Sequence, residues 1–295
     1  MMERAFGSTG LQVSALGFGA GHIGQDTMTD REAARILNEA LDAGITLIDT
    51  ARGYGLSEER IGKLIGHRRQ EFVLSTKIGY GIPGFEDWTA PCIRAGIDAA
   101  LKLMRTDVLD VVHLHSCPRE ILEAGEVTEE LHRAVEAGKV RVAAYSGENE
   151  ALEAALHSGS FGSIQLSVNI CDQASLESAL PAAREGGIGV IAKRPIANAP
   201  WRYAERPVGE YVEDYWVRFR EMGWHKAELG MNWDELALRF AAFTPGVHSC
   251  IVGTANPERL RHNARLLEKG PLPEELEKKL RSDFHSHGAD WVGLV

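Results

Sequence analysis

Cysteine is scarce in this chain. Its 295 residues hold only Cys92, Cys117, Cys171 and Cys250, widely separated and with no C-x-x-C pair. That excludes a disulfide framework of the kind that staples small secreted domains, and the four read as reduced thiols in a cytoplasmic chain. Positive charge is also short, with 32 Lys+Arg against 42 Asp+Glu for a net charge of −10. A nucleic acid or an anionic membrane surface is therefore disfavoured as principal partner, because phosphate backbones reward dense positive charge. A small anionic ligand stays compatible if the few basic residues are concentrated. No apolar run approaches the roughly 18 to 20 residues of a membrane span, and Met1 to Gly7 lacks the basic and apolar regions of a signal peptide. No low-complexity tract or Pro/Gly/Ser linker marks a domain boundary, so residues 1–295 are expected to form one domain. The oligomeric state is not encoded in any readable feature.

The sequence does contain a monotonous alternation of apolar runs and helical patterns. Strands are expected at Ala15–Ala20, Ile45–Thr50, Phe72–Lys77, Val108–His115, Val140–Ser146, Ser163–Asn169, Gly189–Arg194 and Ser249–Gly253. Helices are expected at Arg31–Ala43, Ser57–Ile65, Pro91–Met104, Thr128–Ala137, Glu150–His157, Leu180–Glu185, Trp233–Phe243 and Pro257–Glu268. Asp30 and Ser57 are placed as N-caps, and Gly44, Gly66 and Gly138 as left-handed residues just past helix ends. Eight βα units in about 240 residues fit a closed (β/α)8 TIM barrel, an α/β fold, with a doubly wound open sheet as the alternative. Outside the eight units, Arg4–Ser14 reads as a β-hairpin able to plug one barrel end. Glu274–Asp283 reads as an extra C-terminal helix, and Phe284 to His287 as a solvated C-terminus. Ile196–Asn232 reads as a structured loop at a ligand mouth. Its aromatics, Trp201, Tyr203, Tyr211, Tyr215, Trp216 and Trp224, could line a pocket, stack on a sugar or pack on one another.

In a parallel barrel chemistry sits where strands end. Asp49, Lys77 and His115 terminate three consecutive strands on the face set by period-two parity, and Tyr54 follows Asp49 in a short loop. A phenol, with a pKa of about 10, becomes a usable acid when an ammonium stands beside it. Lys77 would supply that ammonium and Asp49 would keep it charged. Tyr54 could then protonate a developing alkoxide as a hydride arrives from a cofactor, while His115 orients the carbonyl. His113 shares the face of His115 one layer deeper and reads as a buried, hydrogen-bonded imidazole. Basic residues, Lys193 and Arg194 after strand seven and Arg259 after strand eight, cluster where such barrels bind phosphate.

These residues resemble those of the aldo-keto reductase superfamily. Gly44 to Gly55, with Asp49 and Tyr54, matches one of its motifs; Ser75-Thr76-Lys77 and Leu114-His115 match two more, and Phe6 to Gly19 matches the hairpin and first strand of its bacterial members. The resemblance implies that Tyr54 is the proton donor, Asp49 and Lys77 its partners, and His115 the residue orienting the substrate. It implies an NADP(H)-dependent oxidoreductase that reduces an aldehyde or ketone, or runs the reverse reaction on an alcohol. Thr254 and Arg259 fall on the grip for the adenosine 2′-phosphate, Asn263 on the adenine contact, and Ser146 and Gln165 on the clamp for the nicotinamide carboxamide. Departures leave NAD(H) open: Gly253 stands where many members carry a lysine, His262 replaces a frequent glutamate and Gly147 a frequent asparagine. Lys193 stands where an aromatic often stacks on the nicotinamide, and could pair the pyrophosphate.

Gly19-Ala20-Gly21-His22-Ile23-Gly24 is a literal G-x-G-x-x-G, but Gln25 to Thr29 intervene before the helix, unlike a Rossmann turn. Here Gly19 and Ala20 are expected to let the backbone approach the nicotinamide region. His113 and His115 also resemble the H-x-H pair of metal-dependent barrel hydrolases, although strands five to eight end in no further ligand, so no metal site is expected. A third reading is a cofactor-binding sensor or subunit with little turnover.

Overall fold

The computed structural model describes residues 1–224, 229–288 and 290–294; positions 225–228 of the long loop lie outside them. Strands β1 (Glu3–Ala5) and β2 (Gln12–Ser14) form an antiparallel hairpin. Eight parallel strands then close into a barrel: β3 (Leu16–Gly19), β4 (Leu47–Asp49), β5 (Val73–Ile78), β6 (Leu109–His115), β7 (Val140–Ser146), β8 (Ser163–Ser167), β9 (Gly189–Lys193) and β10 (Ser249–Val252), with β10 pairing back onto β3. Helices ring the barrel: α1 (Asp30–Asp42), α2 (Ser57–Ile65), α3 (Ala90–Met104), α4 (Arg119–Ala124), α5 (Glu126–Glu136), α6 (Asn149–His157), α7 (Ala179–Glu185), α8 (Glu213–Glu221), α9 (Trp233–Phe243), α10 (Pro257–Glu268) and α11 (Glu274–His287). The expected TIM barrel, with its hairpin and terminal helix, is the observed fold.

Side chains alternate in and out along each strand, so the barrel holds two unlike layers. The lower one is apolar: Leu47, Val73, Val111, Val142, Ala144 and Ile191 meet Phe6, Leu11 and Val13 of the hairpin, which plugs this end. Gly7, at φ +55°, makes the plug fit. A Cβ there would lie 2.4 Å from the Gly187 carbonyl, which also accepts a 2.7 Å bond from the Ser8 amide. Further up the strands, the inward positions turn polar: Asp49, Ser75, Lys77, His113, Ser146 and Gln165 are all buried.

Some local expectations need correction. The N-cap of α1 is Thr29, not Asp30: its hydroxyl accepts from the Glu32 amide while Glu32 accepts from the Thr29 amide, a reciprocal capping box. Asp30 lies one residue inside and pairs with Arg60 and Lys63 of α2 at 3.0 and 2.7 Å. Ser57 does not cap α2 either; its hydroxyl donates to the Ala20 carbonyl at 2.9 Å and accepts from Thr50. Gly44 and Gly138 are left-handed as expected, but Gly66 has φ −56° and leads into a 3-10 turn over Gly66–Glu71. The C-terminus is less solvated than expected, because Phe284 is buried and packs edge-on against Trp291 at 5.6 Å.

Candidate active site

Asp49, Tyr54, Lys77 and His115 come together at the C-terminal mouth of the barrel. Lys77 Nζ donates to Asp49 Oδ2 at 2.5 Å and to the Thr50 carbonyl at 2.8 Å. The other carboxylate oxygen of Asp49 accepts from Ser75 Oγ at 2.8 Å and Gln165 Nε2 at 2.9 Å, so both buried carboxylate oxygens have donors. Burial pushes the Lys77 ammonium toward neutrality, but the Asp49 charge and the Tyr54 phenol outweigh it and raise its pKa above the ordinary lysine value. The lysine is thus held charged inside the protein.

Tyr54 is aimed by its loop. The Thr50 and Arg52 amides continue the β4–β5 ladder by donating to the Ser75 and Lys77 carbonyls at 2.8 and 3.0 Å, and the Tyr54 amide closes a turn onto Ala51. Gly24 packs directly beneath: a Cβ there would stand 1.7 Å from the Tyr54 carbonyl, and the Gly24 carbonyl accepts from the Leu56 amide at 3.0 Å. The last glycine of the G-x-G-x-x-G stretch thus supports the tyrosine loop. The Tyr54 ring lies with its centroid 5.0 Å from Lys77 Nζ and 6.1 Å, edge-on, from the His115 ring.

His115 is neutral. Burial first, and then the Lys77 and Lys193 charges, lower its pKa to about 3. Its Nδ1 is bonded to the hydroxyl of Tyr80 at 2.7 Å, and the two rings stack at 5.5 Å. His113 is buried as expected, with Nδ1 near Ser75 Oγ and the Thr76 carbonyl at 3.4 and 3.3 Å, and burial lowers its pKa to about 4. Among the described residues no three His, Cys, Asp or Glu side chains converge as a metal-ligand set.

A cavity of about 1020 Å³ opens over these groups, lined by Asp49, Tyr54 and His115 and running toward β10 and the start of α10. Of the residues expected to hold a cofactor, Gly19, Ser146, Gln165, Lys193, Arg194, Gly253, Thr254 and Arg259 line it. A neighbouring lobe of about 480 Å³ shares Gly253, Thr254 and Arg259 and adds Asn263. Ala20 is not brought to the wall; it is fully buried, with its amide given to the Asp49 carbonyl and its own carbonyl to Ser57. Ser146 donates to Gln165 Oε1 at 3.2 Å, which links these two to Asp49 in one chain. Gly253 is a tight point, since a Cβ there would meet His22 Nδ1 at 2.8 Å and the Gly19 carbonyl at 3.1 Å.

The two basic residues after strand seven already have partners. Lys193 pairs with the buried Glu148 at 3.2 Å, and burial lowers its pKa in spite of that carboxylate. Arg194 donates to Ser167 Oγ and to the Leu294 carbonyl, and stacks 5.1 Å over Tyr211. The chain end is strapped over this side: Asn149 bonds both the amide and the carbonyl of Gly293, Asp172 accepts from the Leu294 amide at 3.1 Å, and Arg218 donates to the Val292 carbonyl at 2.7 Å. The long loop is divided in use. Trp201 and Trp224 pack on Phe219, Tyr215 reaches buried Asp172, and Trp216 donates to the Tyr203 carbonyl, whereas Tyr203 and Tyr211 line the cavity. Tyr80 and Glu148 were not anticipated from the sequence, and no spacing rule singles them out.

A sequence profile described as the Aldo/keto reductase family matches residues 15–282. The chain is 30% identical to L-galactose dehydrogenase of Arabidopsis thaliana, covering 88% of this chain and 86% of that one. It is 28% identical to a probable voltage-gated potassium channel subunit beta of the same plant, over 92% and 93%. The holo form of an aldo-keto reductase from Bacillus halodurans superposes with a TM-score of 0.83 at 26% identity, covering 96% of both chains.

Proposed function

The chain belongs to the aldo/keto reductase family, an oxidoreductase family using nicotinamide cofactors, and from that premise we propose that it transfers hydride between NADP(H) and a small carbonyl or alcohol, with Tyr54 as proton donor. The observation that carries this reading is the buried Lys77–Asp49 pair at 2.5 Å, set against the Tyr54 ring and beside a neutral His115.

The residues present suit a dinucleotide. The two adjoining cavities, which share Gly253, Thr254 and Arg259, offer room for its two halves. Arg259 stands exposed at the junction, with no carboxylate partner among the described residues, in the first turn of α10, where the helix dipole also favours an anion. Ser146 and Gln165 would hold the carboxamide, Thr254 and Arg259 the 2′-phosphate, and Asn263 the adenine. Bound there, NADP(H) supplies the hydride in reduction and accepts it in oxidation.

The protein's own steps concern the proton and the carbonyl oxygen. The neutral His115 orients that oxygen by hydrogen bonding and cannot compete as an acid. As negative charge develops on the oxygen, Tyr54 gives it a proton, and the Lys77 ammonium stabilises the phenolate left behind. Asp49 keeps Lys77 charged through the cycle. Oxidation of an alcohol runs the same proton in reverse.

The cavity lining includes Asn198, Arg202 and Glu210 together with the phenols Tyr203 and Tyr211, a polar set that suits a hydroxylated substrate. The relative named L-galactose dehydrogenase makes aldoses the first class to assay. Absorbance at 340 nm with NADPH and a panel of aldehydes, and with NADP and a panel of aldoses, tests the proposal. Turnover in either direction is expected. The channel-subunit relative gives the competing reading its content: tight NADPH binding with no turnover across both panels would favour a sensor or subunit.

A further inference from the structure

Tyr80 stands immediately past β5, outside the cavity wall, and is placed by unusual local packing. Gly79, at φ +136°, gives up its side-chain space to Trp88: a Cβ there would lie 2.1 Å from the indole. Trp88 is tied back by its amide to the Gly79 carbonyl at 2.8 Å and meets the Tyr80 ring at 5.9 Å. On the other side, the Tyr80 hydroxyl and ring edge lie against Gly53 of the tyrosine loop, within ordinary contact distance of where a Cβ would stand. The ring is thereby held in a stack on His115, with its hydroxyl 2.7 Å from Nδ1.

We propose that Tyr80 is a positioning residue whose hydroxyl donates to His115 Nδ1, fixing the imidazole as the Nε2–H tautomer and presenting that N–H to the carbonyl oxygen in the cavity. The reverse arrangement, with Nδ1–H donating to the phenol, is disfavoured because an imidazole nitrogen is a far better acceptor than a phenol oxygen, and His115 is the only hydrogen-bond partner of the Tyr80 hydroxyl among the described residues. Burial keeps the Tyr80 phenol protonated by raising its pKa, so the donor is present throughout the neutral range. The cavity side of His115 then depends on a residue that never touches substrate. Without it a neutral imidazole divides between two tautomers, one of which points a lone pair at the carbonyl oxygen and repels it.

This inference rests on the reductase reading for its consequence in turnover, but its structural core does not need turnover to be tested. Protein labelled with 15N-histidine is examined at pH 7 by long-range proton–nitrogen correlation, with the His115 signals identified by their absence from His115→Asn. The wild type is expected to show His115 as Nε2–H. Tyr80→Phe, which keeps the stacked ring, is expected to give a mixed pattern and a kcat lower by about tenfold, the factor of one hydrogen bond, with the NADPH dissociation constant unchanged. A wild-type Nδ1–H pattern overturns the proposal, as does a Tyr80→Phe protein whose His115 stays Nε2–H, whatever its kcat. If Tyr80→Phe does not fold, the wild-type tautomer alone decides. Should no carbonyl be turned over while the tautomer is Nε2–H and shifts in Tyr80→Phe, the positioning role stands and the reductase reading falls.

Discussion

Replacing Asp49 with Asn deprives Lys77 of its counter-charge without changing the size of the side chain. Both partners are nearly inaccessible, at 2% and 1% side-chain exposure, so neither can be rescued by water. Breaking a buried pair by removing one charge costs about 3 to 5 kcal/mol. Lysine can instead lose its proton, and doing so at pH 7 from an unfolded pKa of about 10.4 costs about 4 to 5 kcal/mol, so the two routes converge on one magnitude. In a protein of this length that corresponds to a fall in Tm on the order of 10 °C. The double variant Asp49→Asn/Lys77→Met removes both charges and is expected to recover about half of the loss or more, since uncharged residues carry no such penalty. The pH profile supplies a second signature. Lys77 has a folded pKa above its unfolded value, so its stabilisation is complete below about pH 10.4 and is lost as pH rises through the folded pKa. Wild type should therefore weaken in that alkaline range, and Lys77→Met should not show that component. Urea denaturation of the four proteins at pH 7 measures the cycle. An Asp49→Asn protein within about 1 kcal/mol of wild type, or a double variant no more stable than the single, would refute a charged Lys77 held by Asp49.

Other expectations concern charge and binding. Arg259→Ala should weaken NADPH by about 10- to 100-fold, the scale of a charge-assisted hydrogen bond to phosphate, and NADH by less than about threefold; equal losses by fluorescence titration would remove the 2′-phosphate role. His113 has a folded pKa of about 4 against an ordinary 6.5, so the unfolded chain binds the extra proton and the stabilisation, complete above about pH 6.5, is lost as pH falls toward 4. His113→Gln should accordingly reduce the stability difference between pH 7 and pH 4.5 by up to about 2 kcal/mol, and an unchanged difference would show that this histidine is not buried neutral.

Much of the site was legible because strand parity and strand ends are local properties. Asp49, Lys77 and His115 each close an apolar run, and a parallel barrel carries all such ends to one mouth. The Lys193–Glu148 pair was not legible: the two residues are 45 positions apart, and only the pairing of β7 and β9 on either side of β8 puts the loop after β7 beside the end of β9. Tyr80 was hidden for a related reason, because its placement depends on the left-handed Gly79 and on Trp88 lying against it. Arg194 read as a phosphate ligand by position, yet its guanidinium is engaged by Ser167 and the chain end, contacts no periodicity encodes. The cap of α1 was misplaced by one residue because Thr29 and Asp30 are both good caps, and only the reciprocal bond from Glu32 decides between them.

The central claim is that Tyr54 delivers the proton to a carbonyl oxygen, and Tyr54→Phe tests it most directly. The predicted result is a kcat for carbonyl reduction lower by about 10²- to 10⁴-fold, with NADPH affinity by fluorescence titration within about threefold of wild type. A Tyr54→Phe protein that turns over at a near-normal rate would contradict it.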